Sequence, residues 1–137
     1  MEGVSGAASV VAVIAFALSS TKIIHDTISK IKNGPKAIAE TTSALENLWK
    51  TLEQIRGLDA EFISVNANLR NVVQKCAADL KECENKIGCL RILPSNKIMS
   101  KVLKRVKTML KQDDFQEMWG KIKWHVSALS LQLLSIQ

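Results

Sequence analysis

No charged side chain occurs from Gly3 to Thr21, a run of 19 residues flanked by Glu2 and Lys22. As one helix this run would be about 28 Å long, close to the roughly 30 Å hydrocarbon thickness of a bilayer. The flanks do not suit a secretory signal. The leading residues offer only Glu2 beside the terminal amine, where a positive region is needed, and Lys22-Ile23-Ile24 continues the apolar pattern instead of opening a cleavage site. A permanent span fits poorly too. Gly3, Ser5, Gly6, Ala7, Ala8, Ser9, Ala12, Ala15 and Ala17 dilute the larger apolar residues, so insertion would be marginal. Small residues also let helix backbones approach closely. Val10, Val11, Val13, Ile14, Phe16 and Leu18 surround the helix on most sides, and a helix that is apolar all round is normally central in its fold. The expectation is a helix that is central to a bundle at rest and able to leave it for a membrane.

The rest of the chain reads as amphipathic helices. Ile24, Ile28 and Ile31 extend the first one, and Asn33-Gly34-Pro35 stops it and starts the next. Ile38, Leu45, Leu48, Trp49, Leu52 and Ile55 then recur at helical spacing up to Gly57. Asp59 suits an N-cap for a long third helix with Phe62, Val65, Leu69, Val72, Val73, Cys76, Leu80, Cys83 and Ile87 on its apolar face. Gly88 to Asn96 is the longest expected loop. Met99, Val102, Val106 and Met109 predict a short helix whose other side is basic. After Asp113 or Asp114, the last helix turns Phe115, Met118, Trp119, Ile122, Val126, Leu129, Leu133 and Ile136 to the core. Six Gly, two Pro and no Tyr argue against a β-sandwich or barrel. The expected fold is all-α: a single domain over residues 1–137, an up-and-down bundle of four long helices plus one short basic helix, the N-terminal hydrophobic helix central.

Charge is uneven. Residues 90–137 hold nine positive and three negative side chains, net +6, which equals the formal net charge of the whole chain. Lys97, Lys101, Lys104, Arg105, Lys107 and Lys111 concentrate it, and such a patch suits anionic lipid, an acidic protein or nucleic acid. No DNA-binding motif accompanies it, so nucleic acid is not expected as a partner. Reactive chemistry is sparse. His25 and His125 lack metal-ligand neighbours at i+3 or i+4, and no glycine-rich phosphate loop is present. Cys76 and Cys83 share one helix face and read as core residues, while Cys89 falls in the expected loop. The acidic residues Asp113, Asp114 and Glu117 suit a helix N-terminus. The sequence therefore predicts no enzyme, no catalytic residue, no metal and no cofactor. Trp49 and Trp119 fit apolar stripes. Trp124 falls off the main stripe beside Lys121 and Lys123, as at a membrane interface or a second packing surface shared with Leu131.

The opening Met1-Glu2-Gly3-Val4-Ser5-Gly6-Ala7-Ala8-Ser9-Val10-Val11-Ala12-Val13 resembles that of the N-terminal, HeLo-like domain of fungal STAND (NLR-like) proteins. The closing His125-Val126-Ser127-Ala128-Leu129-Ser130-Leu131-Gln132-Leu133-Leu134 is similar to that family's last helix. Residues 88–98 match it poorly. The resemblance implies a cytoplasmic signalling domain in front of a nucleotide-binding oligomerisation domain. It also implies that on activation copies of the chain oligomerise, expose the first helix and permeabilise the plasma membrane, causing regulated cell death or incompatibility. On that reading Gly3, Val4, Ala7, Val10, Val11, Ile14, Phe16 and Leu18 would insert. Lys97, Lys101, Lys104, Arg105, Lys107 and Lys111 would contact anionic lipid at about 1 kcal/mol each. The other reading is a soluble homotypic or adaptor module without membrane activity.

Overall fold

The computed structural model describes residues 2–30, 36–87, 104, 108 and 114–136. Four long helices carry the architecture: α1 (Glu2–Ser29), α2 (Lys36–Arg56), α4 (Ala67–Ile87) and α5 (Asp114–Ile136). One six-residue helix, α3 (Ala60–Val65), joins α2 to α4. No strand occurs among the described residues, so the fold is the all-α bundle the periodicity predicts. The turn at Asn33-Gly34-Pro35, the loop Gly88 to Asn96 with Cys89, and most of the short basic helix lie outside the described residues. Of that helix, Lys104 and Thr108 are helical and exposed, and the Thr108 hydroxyl donates to the Lys104 carbonyl at 3.0 Å.

Two ring contacts fix the register. His25 on α1 meets Glu46 on α2 at 3.0 Å, and His125 on α5 meets Asp79 on α4 at 2.6 Å. Lys121 lies 3.6 Å from Glu82, so α5 descends as α4 rises. The N-terminal halves of α2 and α5 flank one groove, lined by Lys36, Glu40, Ala44, Trp119 and Lys123, so these two helices run the same way. The ring of neighbours is therefore α1, α2, α5, α4, with α1 and α5 on one diagonal. Chain direction alternates as expected, but α2 and α4 are not neighbours. The short α3 carries the chain across the bundle between them.

That crossing alters the expected third helix. Asp59 does N-cap, accepting from the Glu61 N–H at 2.9 Å, but the helix it starts ends after six residues. Asn66 then serves both sides of the break. Its N–H reaches the Phe62 and Ile63 carbonyls, and its side-chain oxygen accepts from the Leu69 N–H at 3.1 Å. The break resets the helical phase. Ile63 is buried, whereas Phe62 and Val65, expected in the core, are exposed. Beyond Asn66 the predicted stripe holds: Leu69, Val73, Cys76, Leu80, Cys83 and Ile87 are all buried.

α1 packs against α2, α3 and α4. Val10, Ile14, Ala17, Leu18, Ile24 and Ile28 point into the core. Its surroundings are incomplete, however, because no described helix covers the side turned away from the diagonal. Ala12, Ala15 and Ser19 are exposed there, and Val11 is 48% exposed. Up to Thr21 the helix is two-sided mainly by residue size, and beyond it the same outer face carries the exposed Lys22, Asp26 and Ser29.

Candidate functional site

The candidate site is α1 and its seam with α2. Among the described residues one helix is long and apolar enough to cross a membrane, over Ser9–Ser29, with 39% of its most apolar stretch buried. By length and composition alone a buried core helix meets the same criteria. Of the expected inserting residues, Val10, Ile14 and Leu18 are buried, Phe16 is half-buried and Val11 is exposed. Gly3, Val4 and Ala7 lie in the helix, with their side chains outside the described set.

Polar groups on α1 are largely satisfied within the helix. The Thr21 hydroxyl donates to the Ala17 carbonyl and the Thr27 hydroxyl to the Ile23 carbonyl, each at 2.7 Å. These bonds would travel with the helix, so leaving the bundle would not orphan them. Ser20 differs: its hydroxyl is fully buried and finds no partner among the described residues.

His25 forms a polar tie between α1 and α2. Its Nδ1 lies 3.1 Å from Asp26 and its Nε2 lies 3.0 Å from Glu46. Partial burial works against a charged ring, but the hydrogen bonds and charges of Asp26 and Glu46 outweigh it and raise the His25 pKa above 6.5. The imidazolium can donate to a carboxylate from each nitrogen. Beside it opens a cleft of about 400 Å³ floored by Leu45 and Trp49 and rimmed by Lys22, Glu46 and Lys50.

The opposite seam is built differently. His125 is 1% exposed, and its Nε2 donates to Asp79 at 2.6 Å. Its Nδ1 is buried without a partner among the described residues, so a second ring proton would have no acceptor. Burial is the main cause that lowers its pKa. Lys75 and Lys121 add to the effect, and Asp79 opposes it. Cys76 and Cys83 on the same helix as Asp79 are pushed up to about 12 by burial, as befits inert core thiols. No group of three or more metal-ligating side chains occurs among the described residues.

Sequence spacing tests His25 and His125 only as metal ligands and does not reveal their carboxylate partners. Glu46 is 21 residues from His25, and Asp79 is 46 residues from His125. No local spacing signals such pairs, because topology brings them together.

Of the expected lipid-contacting residues, Lys104 is described and exposed, whereas Lys97, Lys101, Arg105, Lys107 and Lys111 lie outside the described residues. The described residues that flank this segment are Ile87 and Asp114. Both sit at the end of the bundle where α1 finishes, about 40 Å along that helix from its start at Glu2.

The family model for the N-terminal region of the pigment biosynthesis cluster protein PigL matches residues 1–124. The match spans most of the chain, and the chain belongs to that family. No curated protein and no solved structure matches it.

Proposed function

We propose that this member of the PigL N-terminal family is a signalling domain of a fungal NLR-like receptor. In this reading copies of it oligomerise and target the plasma membrane through α1, causing regulated cell death. The observation that carries the reading is the make-up of α1. It combines bilayer-matching length, an outer face that is small and uncharged up to Thr21 with Lys22 and Asp26 beyond it, and internally bonded threonines, with a histidine link to α2. A helix of this kind can lie in a bundle or in lipid with little polar reorganisation. The basic residues between 97 and 111 would draw the domain to anionic headgroups, and α1 would then swing out from its far end.

The soluble adaptor reading draws on the depth to which Val10, Ile14, Leu18, Ile24 and Ile28 are buried. Dye leakage from anionic vesicles separates the two. Leakage is expected with the intact protein, is weakened by high salt, and is lost in Ala15→Glu, which charges an exposed position without entering the core. No leakage from the intact protein, or full leakage from Ala15→Glu and from a chain lacking residues 1–20, overturns the membrane reading.

A further inference from the structure

The cleft beside His25 straddles the α1–α2 seam. Its volume is about 400 Å³, and its floor is the buried Leu45 and the half-buried Trp49. Lys22 of α1 and Lys50 of α2 stand exposed on its rim. Each lies one helical turn from a carboxylate, Lys22 from Asp26 and Lys50 from Glu46, a spacing that suits ion pairs. Neither pair forms. His25 takes both carboxylates instead, at 3.1 Å and 3.0 Å, and neither ammonium has an ion-pair partner among the described residues. Despite the partial burial of the ring, its two carboxylates raise the His25 pKa above 6.5, so the ring is charged at about pH 6. Three cationic groups against two carboxylates leave one net positive charge over an apolar floor.

We propose that this cleft is a binding site for a small amphipathic monoanion, an alkyl or aromatic carboxylic acid. Its apolar body covers Leu45 and Trp49, and its carboxylate neutralises the lysine rim. A cleft of this size suits a body of about ten to fifteen non-hydrogen atoms. The charge balance selects the monoanion. A neutral molecule leaves both ammoniums without a partner. A polyanion, such as a phosphate monoester, brings surplus negative charge beside Asp26 and Glu46. Because one lysine belongs to each helix, the bound anion links α1 to α2 next to the histidine bridge. Binding needs nothing from the membrane reading. That the bound acid holds α1 in place and slows leakage rests on it.

Titration of the intact chain at about pH 6, followed by proton–nitrogen correlation NMR, tests the site. The probes are sodium decanoate and sodium naphthoate, with the neutral naphthalenemethanol as control. Saturable shifts are expected at the Trp49 indole and the His25 and Lys50 amides, with dissociation constants on the order of 0.1–1 mM. The tighter of the two acids identifies the body as alkyl or aromatic. Lys22→Gln and Lys50→Gln, at exposed positions where folding is not threatened, should each weaken binding about two- to fivefold. Naphthalenemethanol should bind about tenfold more weakly than naphthoate. No saturable shift at Trp49 with either acid up to about 10 mM overturns the proposal. So does equal binding by the alcohol or by the double lysine variant, and so do shifts centred on Trp119 or Trp124 in place of Trp49. In the vesicle assay, saturating naphthoate should slow leakage several-fold. Binding without that effect upholds the site and overturns its role as a clamp. Leakage without binding overturns the site and leaves the membrane reading standing, and binding to a protein that never leaks does the reverse.

Discussion

Two histidines bridge this bundle, and they do so by opposite physics. At the α1–α2 seam His25 is partly exposed, and each ring nitrogen faces a carboxylate, Asp26 and Glu46. At the α4–α5 seam His125 is buried, with one nitrogen on Asp79 and the other without a partner among the described residues. The first site favours a charged ring and the second a neutral one. The difference marks the α1–α2 link as a surface tie that costs little to break. The α4–α5 link has its ring in the core, and breaking it leaves the half-buried Asp79 carboxylate without its histidine donor. The polar link of the α4–α5 seam is thus the costlier of the two to break.

The largest effect expected from this contrast is on His125. His125→Ala removes a buried ring and strips Asp79 of its donor, and should cost about 2–4 kcal/mol in chemical denaturation. His25→Ala, at a more solvated pair, should cost about 1 kcal/mol or less. Equal losses from the two substitutions would erase the distinction between the seams.

A pH series sharpens it. His125 has a folded pKa below 6.5, so its contribution is complete above 6.5 and is lost as pH falls through the lowered value. His25 has a folded pKa above 6.5, so its contribution is complete below 6.5 and is lost as pH rises through the raised value. Acid should weaken the α4–α5 seam, and mild alkali the α1–α2 seam. Denaturation midpoints should lose their acid-side decline in His125→Ala and their alkaline-side decline in His25→Ala. A decline that survives its own substitution assigns that pH dependence to other groups.

How much of this is legible in the sequence follows from the range of each interaction. The four long helices, the buried stripes of α2 and α4, and the core cysteines follow from spacing within one element, and the structure bears them out. The break at Asn66 escapes the pattern because Phe62 and Val65 sit at helical spacing from Leu69. The capping capacity of Asn66 is local, but nothing in the apolar pattern shows that it is used. The uncovered side of α1 escapes it too, because small apolar residues look alike whether they face a neighbouring helix or solvent. The histidine–carboxylate bridges need the neighbour order of the bundle, which hinges on the crossing made by α3. Trp124 lies off the main stripe in the sequence, and it is indeed exposed, with Leu131 and Leu134 continuing its line down α5.

The smallest expected effect concerns Ser20, where the α1 side carries a cost of its own. Its hydroxyl is fully buried without a partner among the described residues, whereas Thr21 and Thr27 bond to carbonyls one turn back. Ser20→Ala removes the orphan and improves helix propensity, so it should stabilise the fold by about 1 kcal/mol or less, with an unchanged denaturant slope. The part of the gain that comes from removing the orphan exists only while α1 is seated, because in lipid the Ser20 hydroxyl can turn to a carbonyl one turn back as its threonine neighbours do. If α1 must leave the bundle to act, Ser20→Ala should therefore raise the denaturation midpoint and lower vesicle leakage together. A stabilised protein that leaks dye as fast as the parent, or faster, would separate membrane activity from the release of α1.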